Sequence, residues 1–187
     1  METLRQIWND SGTTLGGWLS VPSSVTAEAV ARAGFDYVCI DAQHGAVEYS
    51  DCVSMIQAGL LGGGRPIVRV PWNEPGIIGK MLDAGAQGVI IPMVNTVAEA
   101  EAAVRACRYA PEGARSSGPT LVGARTDRPY FEWAKDNVAC IPMIETIEAV
   151  GNLDDLLAVP GIASVDVGPP DPSHTARLGP VNPRHAP

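Results

Sequence analysis

Short apolar runs alternate with amphipathic segments along most of the chain. Each run is rich in Val, Ile or Leu and is too short to form a helix, so a strand is predicted at each. The six runs are Leu15–Ser20, Tyr37–Asp41, Pro66–Val70, Gly88–Met93, Cys140–Glu145 and Ser164–Gly168. The segments predicted to be helical between them are Ala27–Ala33, Tyr49–Leu60, Gly76–Ala84, Val97–Arg108 and Ile147–Leu157. This alternation predicts an α/β protein with a parallel sheet.

Two arrangements of a parallel sheet fit this alternation, an open doubly wound sheet and a (β/α)8 barrel. A seventh, weaker run over residues 118–123 is one more candidate strand toward the eight of a barrel. The chain has neither a Gly-x-Gly-x-x-Gly turn after the first strand nor a phosphate-binding loop, so nucleotide binding has no support. Polar residues instead fall at the ends of the runs, which in a barrel converge on one mouth. We therefore predict a fold of the (β/α)8 TIM-barrel type.

Length limits how much of such a barrel the chain can form. It has 187 residues, whereas a complete (β/α)8 barrel needs about 250. Its last 20 residues contain six prolines, which disfavour both a helix and a central strand. We predict one incomplete barrel domain over residues 1–171, lacking the last strand and helices, and a proline-rich irregular tail over residues 172–187.

Composition and charge narrow the class of protein. Hydrophobic residues make up 45% and charged residues 18%, which excludes a disordered chain. The net charge is −8 and no basic run occurs, so nucleic acid and anionic membranes are not expected partners. No apolar stretch is long enough to span a membrane, and the N-terminus has no signal-peptide core. Four widely spaced cysteines indicate reduced thiols in a cytoplasmic protein; they are Cys39, Cys52, Cys107 and Cys140.

Two residues near the ends of neighbouring runs are candidates for chemistry. His44 follows the run that ends at Asp41, and imidazole is well matched to proton transfer near neutral pH. The alternative is a surface-loop histidine held by a helix cap. Arg69 is embedded in a buried strand pattern, where a charge must be paired or bind an anion. A carboxylate ligand and a structural ion pair with an acid on a neighbouring strand both remain open.

Three acidic residues are weaker candidates. Glu145 and Asp171 end successive runs, and two carboxylates there can hold a hard divalent cation. Taken alone, a helix cap at Glu145 and a turn at Asp171 explain them better. Asp83 lies at a predicted helix end, where the helix dipole disfavours an acid, so it is a candidate for orienting a histidine. An exposed surface acid explains Asp83 equally well.

The two lysines, Lys80 and Lys135, both fall in helical patterns rather than on a strand facing a barrel interior. A Schiff-base aldolase needs such a strand lysine. If the chain carries out carbon–carbon bond chemistry, the electron sink is therefore expected to be a metal ion.

Eight motifs, in order and at consistent spacing, resemble the HpcH/HpaI aldolase family, the metal-dependent 2-keto-3-deoxy acid and 4-hydroxy-2-oxo acid aldolases. The motifs are Gly17–Ser20, Ala33–Tyr37, Ile40–Gly45, Val68–Pro71, Leu82–Gly88, Pro92–Val94, Arg108–Gly113 and Ile144–Glu145. The resemblance covers nearly all of residues 14–171. It implies a modified (β/α)8 barrel and a class II aldolase. Such an enzyme splits a 4-hydroxy-2-oxo acid into pyruvate and an aldehyde, using a divalent magnesium, manganese or cobalt ion.

The resemblance also implies roles for individual residues. Glu145 and Asp171 would be the metal ligands, and Arg69 would steady the keto or enolate oxygen. The pocket for the pyruvate carboxylate would be lined by the backbone of Gly168, Pro169 and Pro170.

Proton transfer is the last role that the resemblance implies. His44 would serve it through a water molecule, and either Asp83 or Asp41 would orient the imidazole. The family also implies self-association, because its final helix commonly packs on a neighbouring subunit.

The chain departs from the family pattern in three places. Met143 stands where some members have Gln, Pro172 stands within the loop that carries Asp171, and beyond Ser173 the resemblance ends. Two other interpretations follow. One is a citryl-CoA or malyl-CoA lyase relative, against which stands the lack of an extra basic groove for CoA phosphates. The other is a truncated family member with impaired catalysis.

Overall fold

The computed structural model describes residues 2–168, except residues 11, 120 and 124. The described strands form one parallel sheet: β1 (Gly16–Leu19), β2 (Tyr37–Asp41), β3 (Pro66–Arg69), β4 (Gly88–Ile91), β5 (Ala139–Ile144) and β6 (Asp166–Val167). The helices are α1 (Leu4–Asn9), α2 (Ser24–Arg32), α3 (Tyr49–Leu61), α4 (Pro75–Ala84), α5 (Val97–Cys107), α6 (Tyr130–Asn137), α7 (Ile147–Gly151) and α8 (Leu153–Leu157). All six predicted strands are therefore confirmed.

The strand order separates the two arrangements that the sequence left open. The strands lie in the order β1-β2-β3-β4-β5-β6, and each pairs in parallel with the next. A doubly wound sheet would reverse its order at a switch point, whereas strands in sequence order are typical of a barrel. The sheet curls into a half-barrel, consistent with an incomplete TIM-barrel-like fold.

Local signals fix the helix boundaries. Helix α4 begins after Glu74, whose carboxylate accepts hydrogen bonds from the N–H groups of Gly76 and Ile77 at 2.9 and 2.8 Å. It ends at Gly85, whose φ of +113° is the left-handed conformation that favours glycine. Helix α5 begins with a capping box between Thr96 and Glu99.

The core has two parts, on the two faces of the sheet. The larger part lies between the sheet and the helices. The smaller part lines the inner face of the half-barrel and comprises Leu4, Cys39, Ile67, Ile90, Ala139, Ile141 and Met143. Leu4 belongs to α1, a helix that the hydrophobic pattern did not predict. Its capping box of Thr3 and Gln6 defines its start, and its buried Leu4 packs against the inner face.

Two predictions need correction. The described residues of the weak run over 118–123 form loop and turns, so no seventh strand lies there. The predicted helix Ile147–Leu157 is divided at Asn152 into α7 and α8. The predicted domain boundary between residues 171 and 172 falls outside the described residues. Within the part of the chain that the structure describes, no helix has the length and hydropathy needed to cross a membrane.

Candidate functional site

The ends of β2, β3 and β5 place three predicted site residues on the inner face of the half-barrel. Asp41 shares a strand face with Cys39, and Arg69 shares one with Ile67, because side chains alternate along a strand. Asp41 and Arg69 are also register partners across β2 and β3. Glu145 follows the last residue of β5. The structure therefore brings Asp41 and Arg69 together and places Glu145 at the same end of the sheet.

Asp41 and Arg69 form a two-point ion pair. The Arg69 Nε donates to Asp41 Oδ1 at 3.0 Å, and Nη2 donates to Oδ2 at 2.6 Å. The Arg69 side chain is 15% exposed and the Asp41 side chain 4%, so the pair is largely shielded from water. The ion pair that the sequence left open is therefore present. Among the described residues, no hydrogen bond uses Arg69 Nη1, so that edge of the guanidinium can still bind a ligand.

The pair keeps both groups charged. Burial by itself raises the pKa of Asp41, but hydrogen bonds from Arg69, the His44 N–H and Trp18, together with the Arg69 charge, outweigh it and lower the pKa to about 2. Burial likewise lowers the pKa of Arg69, and the hydrogen bond and charge of Asp41 outweigh it, so the pKa is raised. Both side chains are therefore ionised at neutral pH.

Asp41 also shapes the loop that carries His44. Its Oδ1 accepts hydrogen bonds from the backbone N–H groups of Gln43 and His44, both at 3.1 Å. A Cβ on Gly45 would lie 2.3 Å from the Asp41 carbonyl oxygen, so only glycine fits there. The His44 residue itself is exposed at this end of the sheet. Asp41 thus holds the backbone at His44.

Glu145 is almost fully buried, with 2% of its surface exposed. Its Oε1 accepts a hydrogen bond of 2.6 Å from the backbone N–H of Met93, in the loop after β4. Met93 has a φ of +55°, a left-handed conformation that is costly for a non-glycine residue. The hydroxyl of Thr146 donates to Asn95 Oδ1, which ties the two loops together. The β4 and β5 loops therefore fix the Glu145 carboxylate.

Gly168 lies beside this carboxylate. A Cβ built on Gly168 would come within 3.4 Å of the Glu145 Cβ and 3.9 Å of its Oε2. The structure thus brings together two of the residues that the family resemblance implied. Pro169, Pro170 and Asp171 lie outside the described residues.

The described part of the site offers one of the two predicted metal ligands. A carboxylate oxygen is the donor type that Mg2+ and Mn2+ prefer, and the Glu145 carboxylate is buried and held in one orientation. Among residues 2–168 with their three gaps, no group of three or more His, Cys, Asp or Glu side chains is placed to hold a metal ion. Glu145 therefore fits a divalent cation, with further ligands still to be supplied.

Asp83 takes a different place from the one expected. It lies in the last turn of α4 and forms an ion pair of 2.6 Å with Arg115. The Arg115 Cζ also lies over the rings of Tyr109 and Tyr130, 4.7 and 5.3 Å from their centroids. A helix between parallel strands ends near the start of the next strand, opposite the mouth. Within this chain, the structure does not bring Asp83 to His44.

Sequence reasoning missed two inward-facing residues. Asp166 on β6 pairs in register with Met143, and it borders a cavity of about 90 Å³ together with Ile67, Ile90 and Ile141. A charged residue within an apolar run was the signal at Asp166, as it was at Arg69. Trp18 on β1 donates its indole N–H to Asp41 Oδ2 at 3.3 Å. As an apolar residue in an apolar run it gave no signal.

A parallel half-barrel with an arginine and carboxylates at the strand ends is the architecture of a barrel enzyme. Residues 15–181 match the HpcH/HpaI aldolase/citrate lyase family. The chain belongs to this family, and with aldolases among its relatives at 40–44% identity it is a carbon–carbon lyase of the aldolase type.

Individual relatives agree with this assignment. The hydroxypyruvate/pyruvate aldolase of Rhizorhabdus wittichii is 44% identical over 171 residues, covering 91% of this chain and 68% of that protein. The 4-hydroxy-2-oxo-heptane-1,7-dioate aldolase of Klebsiella pneumoniae is 40% identical over 174 residues, covering 91% and 65%. The crystal structure of a family protein from Burkholderia cenocepacia is 34% identical, with a TM-score of 0.86, over 98% of this chain and 74% of that one. The chain thus spans about two thirds of the length of these curated relatives.

Proposed function

We propose that this protein is a divalent-metal-dependent aldolase that cleaves 4-hydroxy-2-oxo acids into pyruvate and an aldehyde. The observation that carries the proposal is the placement of the Asp41–Arg69 ion pair and the buried Glu145 at one end of the half-barrel. The names of the aldolase relatives supply the substrate class.

In the proposed reaction, the proton of the C4 hydroxyl passes to a base through a water molecule, and the C3–C4 bond breaks as C4 becomes the carbonyl of the aldehyde. The electron pair of that bond forms the enolate of pyruvate, which then takes up a proton at C3. Arg69 stabilises the charge that develops on the enolate oxygen through its Nη1 edge, which no described residue hydrogen-bonds, while Asp41 holds the other two nitrogen atoms. His44, exposed on the loop that Asp41 fixes, moves protons through a water molecule.

Glu145 and Asp171 are the proposed ligands of Mg2+ or Mn2+, with Co2+ as a further candidate. When bound, such an ion polarises the keto group and holds the oxo-acid oxygens. Glu145 is suited to this role because the Met93 N–H holds one carboxylate oxygen in place. The backbone of Gly168, Pro169 and Pro170 is proposed to line the pocket for the substrate carboxylate, which the position of Gly168 beside Glu145 supports.

The role of Asp83 stays a prediction, since within the chain its carboxylate is paired with Arg115. A homo-oligomeric state and a cytoplasmic location are also proposed. All four cysteines are buried and free of disulfides, which supports a reducing compartment.

The test is pyruvate release from a 4-hydroxy-2-oxo acid, coupled to lactate dehydrogenase and NADH oxidation. The purified protein is treated with EDTA and assayed with and without added Mg2+ or Mn2+. We expect release that depends on the added metal and is lost in Glu145→Gln. Glu101→Gln, the same change at an exposed position of α5, is the matched control and should retain activity. A folded protein with no metal-dependent release, or a fully active Glu145→Gln variant, would refute the proposal.

A further inference from the structure

Trp18 is a large aromatic residue that is not a member of either core cluster of the described residues. It lies on β1 and is 44% exposed, whereas its neighbour Leu19 is buried. Its register partner on β2 is Cys39, which belongs to the inner cluster, so the indole lies on the inner face of the half-barrel. Packing within the described core clusters therefore does not account for an indole at this position.

The indole makes two contacts with the Asp41–Arg69 pair. Its Nε1–H donates to Asp41 Oδ2 at 3.3 Å. Its ring also faces the Arg69 guanidinium, whose Cζ is 5.0 Å from the ring centroid, within the range of a cation–π interaction. One side chain thus contacts both members of the pair, through its edge and through its face.

These contacts restrict the guanidinium in a way that Asp41 alone does not. Asp41 holds Nε and Nη2 within the plane of the guanidinium. The Trp18 ring, over which the Arg69 Cζ lies, limits movement of the guanidinium toward β1. Asp41 itself is held by Trp18 and by the backbone N–H groups of Gln43 and His44. Together these contacts fix the direction in which the Nη1 edge of Arg69 points.

We propose that Trp18 is a positioning residue that holds the Arg69 guanidinium, through a cation–π contact and through Asp41, in the orientation that binds the reacting oxygen. Its kinetic consequence rests on the proposed aldolase function, whereas the restraint of Arg69 does not. Two variants separate the contacts: Trp18→Phe keeps a ring face and loses the N–H, and Trp18→Leu loses both.

The first measurement is independent of activity. The protein is labelled with 15N-arginine, and the Arg69 Nε–H signal is assigned as the one that disappears in Arg69→Lys. Hydrogen exchange of this Nε–H should be accelerated about tenfold in Trp18→Leu, which loses both contacts. The acceleration should be smaller in Trp18→Phe, which loses only the N–H contact. Trp72→Leu, at an exposed tryptophan of the loop after β3, is the matched control and should leave the exchange rate unchanged. An unchanged rate in a folded Trp18→Leu variant overturns the proposal.

The second measurement is steady-state kinetics. Because Arg69 is proposed to stabilise charge that develops in the transition state, kcat should fall about threefold in Trp18→Phe and about tenfold in Trp18→Leu, with KM little changed. In an Arg69→Lys background, Trp18→Leu should have almost no further effect on kcat, because both act through one group. Independent, multiplying effects would overturn the proposal. If the wild-type protein releases no pyruvate, the proposed function fails, and the exchange measurement alone decides the role of Trp18.

Discussion

The Asp41→Asn substitution tests whether the charge of the strand-end ion pair stabilises the fold. The substitution keeps the shape of the side chain and removes its charge, which leaves Arg69 largely buried against a neutral amide. The pKa of Asp41 is lowered from an ordinary value of 3.8 to about 2. Because a tenfold change in proton affinity corresponds to about 1.4 kcal/mol, the ionised carboxylate stabilises the folded state by about 2 kcal/mol.

The pH dependence distinguishes charge from packing. The folded-state pKa lies below the unfolded one, so the stabilisation is present above about pH 4 and is lost as the pH falls toward about 2. We expect the free energy of unfolding of Asp41→Asn to be about 2 kcal/mol below that of the wild type at neutral pH. The two should converge near pH 2. Urea unfolding followed by circular dichroism measures this difference, and the other carboxylates cancel because both proteins contain them.

Two further variants test whether the difference in the free energy of unfolding comes from the charge of Asp41. Asp127→Asn, at an exposed loop position, should show almost no difference from the wild type at any pH. Adding Arg69→Met to Asp41→Asn removes the second charge, so the double variant should be less destabilised than the sum of the two single variants. A deficit in Asp41→Asn that persists undiminished to about pH 2 would refute the argument, since it would come from packing and not from charge.

Two further predictions concern two other partly buried carboxyl groups, those of Asp83 and Asp166. Asp83→Asn leaves Arg115, whose side chain is 1% exposed, without its charged partner. Urea unfolding should therefore show a loss of about 1–3 kcal/mol, and an unchanged midpoint would contradict a stabilising pair. Burial raises the pKa of Asp166, and the charge of Arg69 offsets part of that rise. Because burial disfavours the ionised carboxylate, Asp166 destabilises the fold at pH values above its raised pKa. Asp166→Asn should raise the melting temperature at neutral pH, and the gain should shrink as the pH falls through the raised pKa; a gain independent of pH would argue against charge burial.

The strands could be predicted from the sequence because each lies between the inner cluster and the helical layer. Continuous Val- and Ile-rich runs such as Gly88–Met93 result from burial on both faces. Helix α1 was missed because its one buried residue, Leu4, produces no periodic pattern. The weak run over residues 118–123 was wrongly predicted as a strand, since its small and apolar residues form turns in the described part.

Most candidate site residues were identified because a polar or charged residue lies in or shortly after an apolar run, as at Asp41, Arg69 and Glu145. An ion pair of Arg69 with an acid on a neighbouring strand was one of two open alternatives, but the particular partners could not be predicted, because the contacts join residues far apart in the chain. Met93 donates to Glu145 across 52 positions, and its left-handed backbone has no signature in a non-glycine residue. Asp83 was expected near His44, but its ion pair with Arg115 depends on how a long loop packs against α4.

The charge balance of the inner face bears on the cofactor that we propose. On this face the Arg69 guanidinium is paired with the Asp41 carboxylate, at 2.6 Å between Nη2 and Oδ2. Because Asp41 already neutralises most of the Arg69 charge, Arg69 by itself attracts an oxo-acid anion only weakly. Among the described residues, the hydrogen bonds of the guanidinium leave its Nη1 edge for a ligand, which is enough to bind one oxygen but not a whole carboxylate and keto group. A divalent cation held by Glu145 would add positive charge at the same end of the sheet and attract the substrate carboxylate.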